Sequence, residues 1–236
     1  MKTTTVLFDL DGTLLPMDMD TFVNAYFGQL ARYLAPKGYD PQKLIAAVWG
    51  GTKNMILNNG SRTNEEVFWD SFAETFGEES RSESDNLERF YGNEFNLVKD
   101  VCGYNAKARE VVMLAKEKGL NTILATSPIF PAVATHARVR WTGLEPSDFS
   151  YISTYENSHY CKPNPKYYTE LLDKLGLVPE ECIMVGNDTS DDMPALSLEM
   201  KLFFVTDTLI NKGNIDISNI PHGSFDDLKK FIAENV

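Results

Sequence analysis

The chain has 236 residues, of which 43% are hydrophobic, which suffices for one large α/β domain or for a core with a smaller second domain. Its formal net charge of -12 argues against a basic face, so neither nucleic acid nor a membrane is expected as a partner. No apolar leader or membrane-spanning stretch is visible, and Cys102, Cys161 and Cys182 lack metal-ligand spacing. We therefore expect a cytoplasmic protein with reduced thiols.

The first predicted strand, residues 4–9, is apolar and leads directly into two aspartates, Asp9 and Asp11. Side chains alternate between the faces of a strand, so these two carboxylates tend to point the same way. Like charges this close repel each other, and a metal ion or a shared proton must offset the repulsion. Gly12 permits a sharp turn after them. An ordinary strand followed by an Asp-Gly turn fits this segment equally well, so it leaves both interpretations open.

Residues 17–99 show four helical patterns and no convincing strand. The apolar positions that define these patterns include Phe22, Leu44, Phe72 and Phe90. A crossover between parallel strands usually needs one helix, so we predict a separate all-helical cap over the end of the first strand. The predicted boundaries are residues 17–99 for the cap, and residues 1–16 with 100–236 for the core.

Strand and helix patterns alternate after residue 100, which predicts βα units and a mainly parallel sheet. The further strands are predicted at residues 121–126, 149–154, 182–186 and 202–206. Helices are predicted between Asn105 and Gly119, between Asn164 and Gly176, and over residues 225–234. Several strands are continuous apolar runs, as expected for a sheet that is covered on both faces.

Polar side chains follow these strands where ligands of parallel sheets bind, beyond the carboxyl ends. In chain order they are Asp9, Asp11, Thr126, Ser127, Lys162, Asp188, Asp191 and Asp192. Carboxylates at two strand ends suit a hard cation such as Mg²⁺, and the lysine and hydroxyl suit phosphoryl oxygens. Each residue alone also fits an ordinary role, such as an acid at a helix N-terminus or a lysine in a surface turn. Together they favour phosphoryl transfer by a carboxylate nucleophile.

The set Asp9-Leu10-Asp11-Gly12-Thr13, Thr126, Lys162 and Asp188-x-x-Asp191-Asp192 resembles the four motifs of the haloacid dehalogenase superfamily, in its phosphatase branch. The helical insertion resembles the first-position cap of that family. The resemblance implies a three-layer Rossmann-like α/β core with an inserted helical cap. It also implies a Mg²⁺-dependent phosphatase that hydrolyses a small phosphorylated metabolite through an aspartyl phosphate.

The resemblance also implies roles for single residues. Asp9 would be the nucleophile, and Asp11 the general acid and base. Thr126 and Ser127 would bind phosphoryl oxygens, and Lys162 would pair with Asp9 and the phosphate. The implied metal ligands are Asp9, Asp11 through its backbone carbonyl, Asp188 and Asp192. Asn187 stands between Gly186 and Asp188 in this chain, which leaves Asp191 as the alternative at the metal.

The cap and the exact activity allow more than one interpretation. The Gly-rich stretch of residues 50–54 is interpreted as a loop between helices, from which Lys53 and Asn54 could reach the substrate. A sugar phosphomutase, a haloacid dehalogenase and a phosphonatase remain alternative activities, the last requiring a cap lysine such as Lys53. A non-catalytic binding protein is a further alternative. We expect a monomer or a weak homodimer.

Overall fold

The computed structural model describes residues 2–236. It contains one sheet, whose strands are β1 (Thr5–Phe8), β2 (Asn121–Leu124), β3 (Tyr151–Ile152), β4 (Cys182–Gly186), β5 (Lys201–Val205) and β6 (His222–Gly223). The strand order is β3-β2-β1-β4-β5-β6, and every pairing is parallel. The central position of β1, between β2 and β4, brings the ends of these three strands side by side.

Nine α-helices accompany the sheet in the described part of the chain. They are α1 (Met19–Leu34), α2 (Pro41–Ile56), α3 (Asn64–Phe76), α4 (Ser84–Gly92), α5 (Ala106–Glu117), α6 (Ala132–Trp141), α7 (Pro165–Leu175), α8 (Thr189–Asp192) and α9 (Phe225–Asn235). Helices α1 to α4 lie between β1 and β2 in the chain, joined by short connections that include 3₁₀ turns. The predicted all-helical insertion is thus confirmed. Across residues 2–236, no helix is both long and apolar enough to pass through a bilayer.

Both faces of the sheet are covered, which confirms the predicted three-layer core. Alternation along β1 sends Leu7 into a cluster with the apolar residues of α7. Val6 and Phe8 point to the opposite face and pack in a cluster with α5 and α9. All four residues of β1 are buried, so the strand that precedes Asp9 is held rigidly on both sides.

The aromatic residues of the cap do not form a separate core. They are continuous with the cluster on one face of the sheet. Phe95 and Trp141 have ring centroids 5.1 Å apart, and those of Tyr26 and Phe130 are 5.5 Å apart. Because Trp141 and Phe130 belong to the core, the cap and core share one apolar interior.

Asn64, the first residue of α3, ties the cap to the core. It is fully buried, and its Nδ2 lies 3.2 Å from the Pro128 carbonyl and 3.3 Å from Cys161 Sγ. The two segments that connect cap and core also meet, since Gly103 N donates to the Pro16 carbonyl at 2.7 Å. The residue boundaries of the cap remain a prediction.

Three elements differ from the sequence prediction. β3 is two residues long rather than six, and β6 was not predicted, because two residues are too few to show a period. α6 was also missed. Its buried side includes the polar residues Thr135 and Arg138, so no apolar stripe marks it in the sequence. The three cysteines are free thiols, and two of them are buried.

Candidate active site

Asp9 lies directly beyond β1 and is buried, with 8% of its surface exposed. Its Oδ1 accepts a hydrogen bond from Lys162 Nζ at 3.0 Å, and its Oδ2 accepts one from Thr13 Oγ1 at 3.0 Å. Burial raises the pKa of Asp9 to about 7, against the effect of Lys162 and with support from Asp192 and Asp11. A further positive charge near Asp9 would therefore stabilise its ionised carboxylate.

Lys162 is shared between two carboxylates. Its side chain is fully buried, and Nζ lies 3.0 Å from Asp9 Oδ1 and 2.8 Å from Asp192 Oδ1. Burial opposes the charge of the ammonium, but Asp192 and Asp9 outweigh it and hold the pKa of Lys162 well above its usual range. One cation therefore faces two acids, which leaves an excess of negative charge at the site.

Asp192 is fixed by the backbone as well as by Lys162. Its Oδ2 accepts the amide hydrogens of Asn187 and Asp188, each at 3.1 Å. Both oxygens of Asp192 are thus engaged, and its role is to hold Lys162. The contact between Asp192 and Lys162 was not predicted from the sequence, because it depends on how the chain folds back after β4.

Gly186, the last residue of β4, makes room for that carboxylate. A Cβ at this position would lie 1.9 Å from Asp192 Oδ2. We expect Gly186→Ala to lower the free energy of unfolding by about 1–3 kcal/mol, and to lower activity by displacing Lys162. Urea unfolding measures the first effect. Gly28→Ala is the control: apart from the neighbouring backbone of α1, no atom lies within 4 Å of its added methyl, and it should stabilise by about 0.4–1 kcal/mol. Equal midpoints for the two variants would contradict the prediction.

Asn187 explains the additional residue that precedes Asp188. Its Oδ1 lies 3.0 Å from Thr13 Oγ1 and shares the one hydrogen of that hydroxyl with Asp9 Oδ2, and its Nδ2 donates to the Thr208 carbonyl at 2.8 Å. Thr208 in turn donates through its hydroxyl to the Gly12 carbonyl. Gly12 has a φ of +83°, and a Cβ there would lie 2.4 Å from Asn187 Nδ2. Asn187 therefore locks the turn after Asp9 to the end of β4, a role that the sequence did not reveal.

Asp11 is held by Arg138, a residue that sequence reasoning missed. The guanidinium of Arg138 is fully buried, donates to Asp11 Oδ2 and stacks 4.3 Å from the ring centroid of Phe130. Asp11 Oδ1 is buried and has no hydrogen-bond partner within residues 2–236. The arginine thus fixes one oxygen of Asp11 and leaves the other free. The sequence signal for this pairing was limited to an arginine within a helical segment that has no apolar stripe.

Thr126 and Ser127 follow β2, beside the end of β1. Thr126 is buried, and its backbone carbonyl accepts a hydrogen bond from the Tyr167 hydroxyl at 3.0 Å. Ser127 lies beside Cys161, the residue before Lys162. The structure therefore brings the loop after β2 and the lysine loop together, while binding of phosphoryl oxygens by these residues stays a prediction.

The predicted metal ligands meet only in part. Within residues 2–236, no three His, Cys, Asp or Glu side chains are grouped closely enough to hold a metal ion. Asp192 is not a free ligand, because Lys162 and two amides occupy its oxygens. Asp188 Oδ1 accepts a hydrogen bond from Ser190 N at 2.7 Å. For the alternative acid, Asp191, burial raises the pKa to about 6. Asp9 and Asp188, at the ends of adjacent strands, remain the oxygen donors whose chemistry fits a hard cation.

The interpretation of residues 50–54 as a loop is wrong, because they lie inside α2. Gly51 allows close packing of α2 on α3, since a Cβ there would lie 2.6 Å from a ring carbon of Phe68. Lys53 and Asn54 are exposed on the helix and do not line the cavity beside Asp11. The structure therefore does not bring these two predicted substrate contacts to the site.

A cavity of about 530 Å³ opens between the cap and the core, with Asp11 on its wall. Helices α1 to α4 supply most of the lining, and residues 129–133 and 155–156 of the core supply the rest. The lining is mainly apolar and aromatic. Asp9 and Lys162 lie outside it, so the cavity adjoins the predicted catalytic groups through Asp11.

Comparison with known proteins gives one family. A family model described as haloacid dehalogenase-like hydrolase matches residues 3–198. Pyrophosphatase PpaX from Oceanobacillus iheyensis is 26% identical over 193 residues, which are 81% of this chain and 78% of that protein.

Solved structures share the fold over nearly the whole length. A phosphatase of this family from Thermococcus onnurineus has a TM-score of 0.59 at 21% identity, covering 99% of this chain and all of the other. The hydrolase YfnB from Bacillus subtilis, bound to magnesium, has a TM-score of 0.55 at 13% identity, covering 98% of this chain and 99% of the other. At these identities the likeness concerns the fold.

Proposed function

Because this chain belongs to the haloacid dehalogenase-like hydrolase family, we propose that it is a Mg²⁺-dependent phosphatase of small phosphomonoesters. The observation that supports the proposal best is the buried group at the strand ends. Lys162 Nζ lies 3.0 Å from Asp9 Oδ1 and 2.8 Å from Asp192 Oδ1, with its side chain fully buried. A lysine held in this way both orients Asp9 and offers positive charge to a phosphoryl group.

In the first step, an Asp9 oxygen attacks phosphorus and forms an aspartyl phosphate. The bond from phosphorus to the ester oxygen breaks, its electron pair goes to that oxygen, and Asp11 supplies the proton. Arg138 keeps one Asp11 oxygen in place, so the unpartnered Oδ1 is the atom that carries the proton. The alcohol then leaves through the cavity that Asp11 lines.

In the second step, Asp11 takes a proton from water, and the water oxygen attacks phosphorus. The bond to Asp9 breaks, which regenerates its carboxylate and releases inorganic phosphate. Thr126 and Lys162 bind phosphoryl oxygens in both steps. Oxygens of Asp9 and Asp188 and the Asp11 carbonyl would hold a divalent cation, which would supply positive charge that offsets the repulsion between carboxylate and phosphate.

Removal of divalent metal tests this proposal. We expect hydrolysis of p-nitrophenyl phosphate with Mg²⁺ present, its loss in EDTA, and its recovery when Mg²⁺ is returned in excess. Circular dichroism in EDTA provides the control that the protein stays folded. Hydrolysis of this ester that persists in EDTA would contradict the proposed metal dependence, whereas a dehalogenase would hydrolyse no phosphate ester. Inorganic pyrophosphate, the substrate in the name of the relative PpaX, is assayed in parallel.

A mutase, a binding protein and a phosphonatase would each give a different result. A sugar phosphomutase would need a catalytic bisphosphate for turnover, and a non-catalytic protein would hydrolyse no ester. A phosphonatase needs a lysine in the cap that reaches the substrate. Among the described residues no lysine lines the cavity, and Lys53 is exposed on α2, which disfavours phosphonate cleavage.

The acid role of Asp11 predicts a dependence on the leaving group. Asp11→Asn should reduce kcat about 10–100-fold more for an alkyl phosphate than for p-nitrophenyl phosphate, because nitrophenolate leaves without protonation. The measurement is kcat for both esters in the wild type and the variant. Asparagine retains an oxygen that can accept from Arg138, so the turn should keep its geometry. Equal losses on the two esters would count against the acid role.

A further inference from the structure

The cavity beside Asp11 is where the leaving group of the ester would lie, if the proposed phosphatase function holds. Asp11 delivers the proton to the leaving oxygen, and it is the member of the catalytic group on the cavity wall. The phosphoryl group is bound on Asp9 and Lys162, outside the lining. The side chains around the cavity therefore select the alcohol rather than the phosphate.

The walls of the cavity are rich in aromatic rings. Phe22, Tyr26, Trp49 and Phe68 line it from the cap, and Phe130 and Tyr155 line it from the core. Aromatic faces attract apolar groups and, through their negative π-clouds, cations. A volume of about 530 Å³ leaves room for a sizeable apolar body.

All charged residues that line the cavity are acids. They are Asp11, Glu65, Asp85, Glu88 and Glu156, and no lysine, arginine or histidine lines it among residues 2–236. Arg138 stacks on Phe130, but it is fully buried, is not part of the lining and already pairs with Asp11. Arg138 therefore offsets the charge of Asp11 alone, and among the described residues no cation in the lining offsets the other four carboxylates.

Glu156 is the acid whose position is best defined. Its Oε1 accepts from Ala132 N at 2.8 Å, at the start of α6, while Oε2 is buried with no partner in the described chain. Glu65 is brought close by a hydrogen bond from its amide to the Tyr155 carbonyl at 2.9 Å. Burial and the charge of Glu156 raise the pKa of Glu65. These two neighbouring carboxylates lie between aromatic rings, and one of them has an unpartnered oxygen. A cation bound there would offset their negative charge.

We propose that the cavity selects phosphomonoesters whose alcohol is mainly apolar and carries an ammonium group, bound by Glu156, Glu65 and the aromatic walls. Cation–π contacts and the Coulomb attraction of the Glu156 carboxylate would act together on the ammonium group. The charged groups that an anionic alcohol would contact in the cavity are all carboxylates. The cavity therefore discriminates against a carboxylate or a second phosphate by repulsion as well as by lack of attraction.

A pair of esters with one shape and different charge tests this selection. Choline phosphate carries a quaternary ammonium, and 3,3-dimethylbutyl phosphate replaces it with an uncharged group of the same shape. We expect kcat/KM for choline phosphate to exceed that for the neutral ester at least about tenfold. Phosphoglycolate and pyrophosphate should be poorer still. A ratio near one for the matched pair, or a preference for the anionic esters, would overturn the inference.

The two alcohols also differ in intrinsic reactivity, and a variant separates this from binding. Glu156→Gln keeps the oxygen that accepts from Ala132 N and removes the charge, so the ratio of the two kcat/KM values should fall about tenfold, mainly through KM. Glu74→Gln is the matched control. Glu74 is exposed on α3 and does not line the cavity, so its removal should leave the ratio unchanged. An unchanged ratio in Glu156→Gln would overturn the inference.

Binding to the Asp9→Asn variant gives a readout without turnover. Calorimetry should show choline phosphate binding at least about tenfold more tightly than 3,3-dimethylbutyl phosphate. If the wild type hydrolyses p-nitrophenyl phosphate, equal affinities overturn only the inference about the cavity and leave the proposed phosphatase function in place. Failure to hydrolyse any ester in Mg²⁺ overturns the proposed phosphatase function, and the affinity ratio then decides whether the cavity recognises an ammonium.

Discussion

Asp9→Asn is expected to reduce phosphatase turnover at least about a thousandfold, and at the same time to raise the free energy of unfolding in EDTA. The loss of activity follows from removal of the nucleophile. The gain in stability follows from the environment of Asp9, where burial raises the pKa to about 7 from the usual 3.8. An acid with a raised pKa in the folded state loses stability as pH rises from about 4 to 7, and asparagine avoids that loss.

The test combines steady-state kinetics with urea unfolding at pH 8 in EDTA, where the wild-type penalty is fully present. Asp173→Asn provides the control, since it changes the net charge equally at an exposed position on α7. It should change neither quantity. A stable Asp9→Asn protein that retains a tenth of the activity would remove Asp9 from the nucleophile role. A less stable one would contradict the excess negative charge inferred at the site.

Lys162→Met should lower the free energy of unfolding by about 3–5 kcal/mol, the largest effect on stability that we expect from one side chain here. The substitution leaves Asp9 and Asp192 buried without the ammonium that lies within 3.0 Å of both. Hydrolysis should also be lost, because the phosphoryl group loses its positive partner. Urea unfolding and the p-nitrophenyl phosphate assay measure the two effects.

The double variant Lys162→Met with Asp192→Asn separates charge from packing. It should recover part of the stability that Lys162→Met loses, since one uncompensated carboxylate is gone, while activity stays absent. Lys230→Met is the surface control. Its ammonium is mostly exposed and pairs with Asp227 at 3.4 Å, so the change should cost less than about 0.5 kcal/mol. Wild-type stability in Lys162→Met would show that the buried ion group does not stabilise the fold.

The groups at the strand ends were predictable from the sequence because parallel register determines where they meet. Asp9 and Asp188 are far apart in the chain, yet β1 and β4 are in register over Thr5–Phe8, so their ends share one edge. The order of the motifs was enough to locate this group. It did not reveal that Asp192 would hold Lys162, since the contact depends on the tight turn between Gly186 and α8.

The sequence failed where tertiary packing overrode local signals. Residues 50–54 contain two adjacent glycines, which disfavour a helix by about 1 kcal/mol each, yet they continue α2 because Gly51 allows α3 to approach. Arg138 was missed for a related reason. It lies on the buried side of α6 together with the polar Thr135, so no apolar stripe marked that side in the sequence and nothing indicated its pairing with Asp11.

The cap and the strand ends supply different parts of the proposed site, and this separation has an evolutionary consequence. Most of the cavity wall comes from one uninterrupted insertion between β1 and β2, whereas the residues proposed for phosphoryl transfer lie at strand ends and in core loops. Codon changes in the insertion would therefore alter which alcohol is accepted without touching the chemistry. A duplicated copy of the gene could diverge toward a new metabolite mainly through that segment, together with the core loop that carries Glu156, under undiminished selection for catalysis.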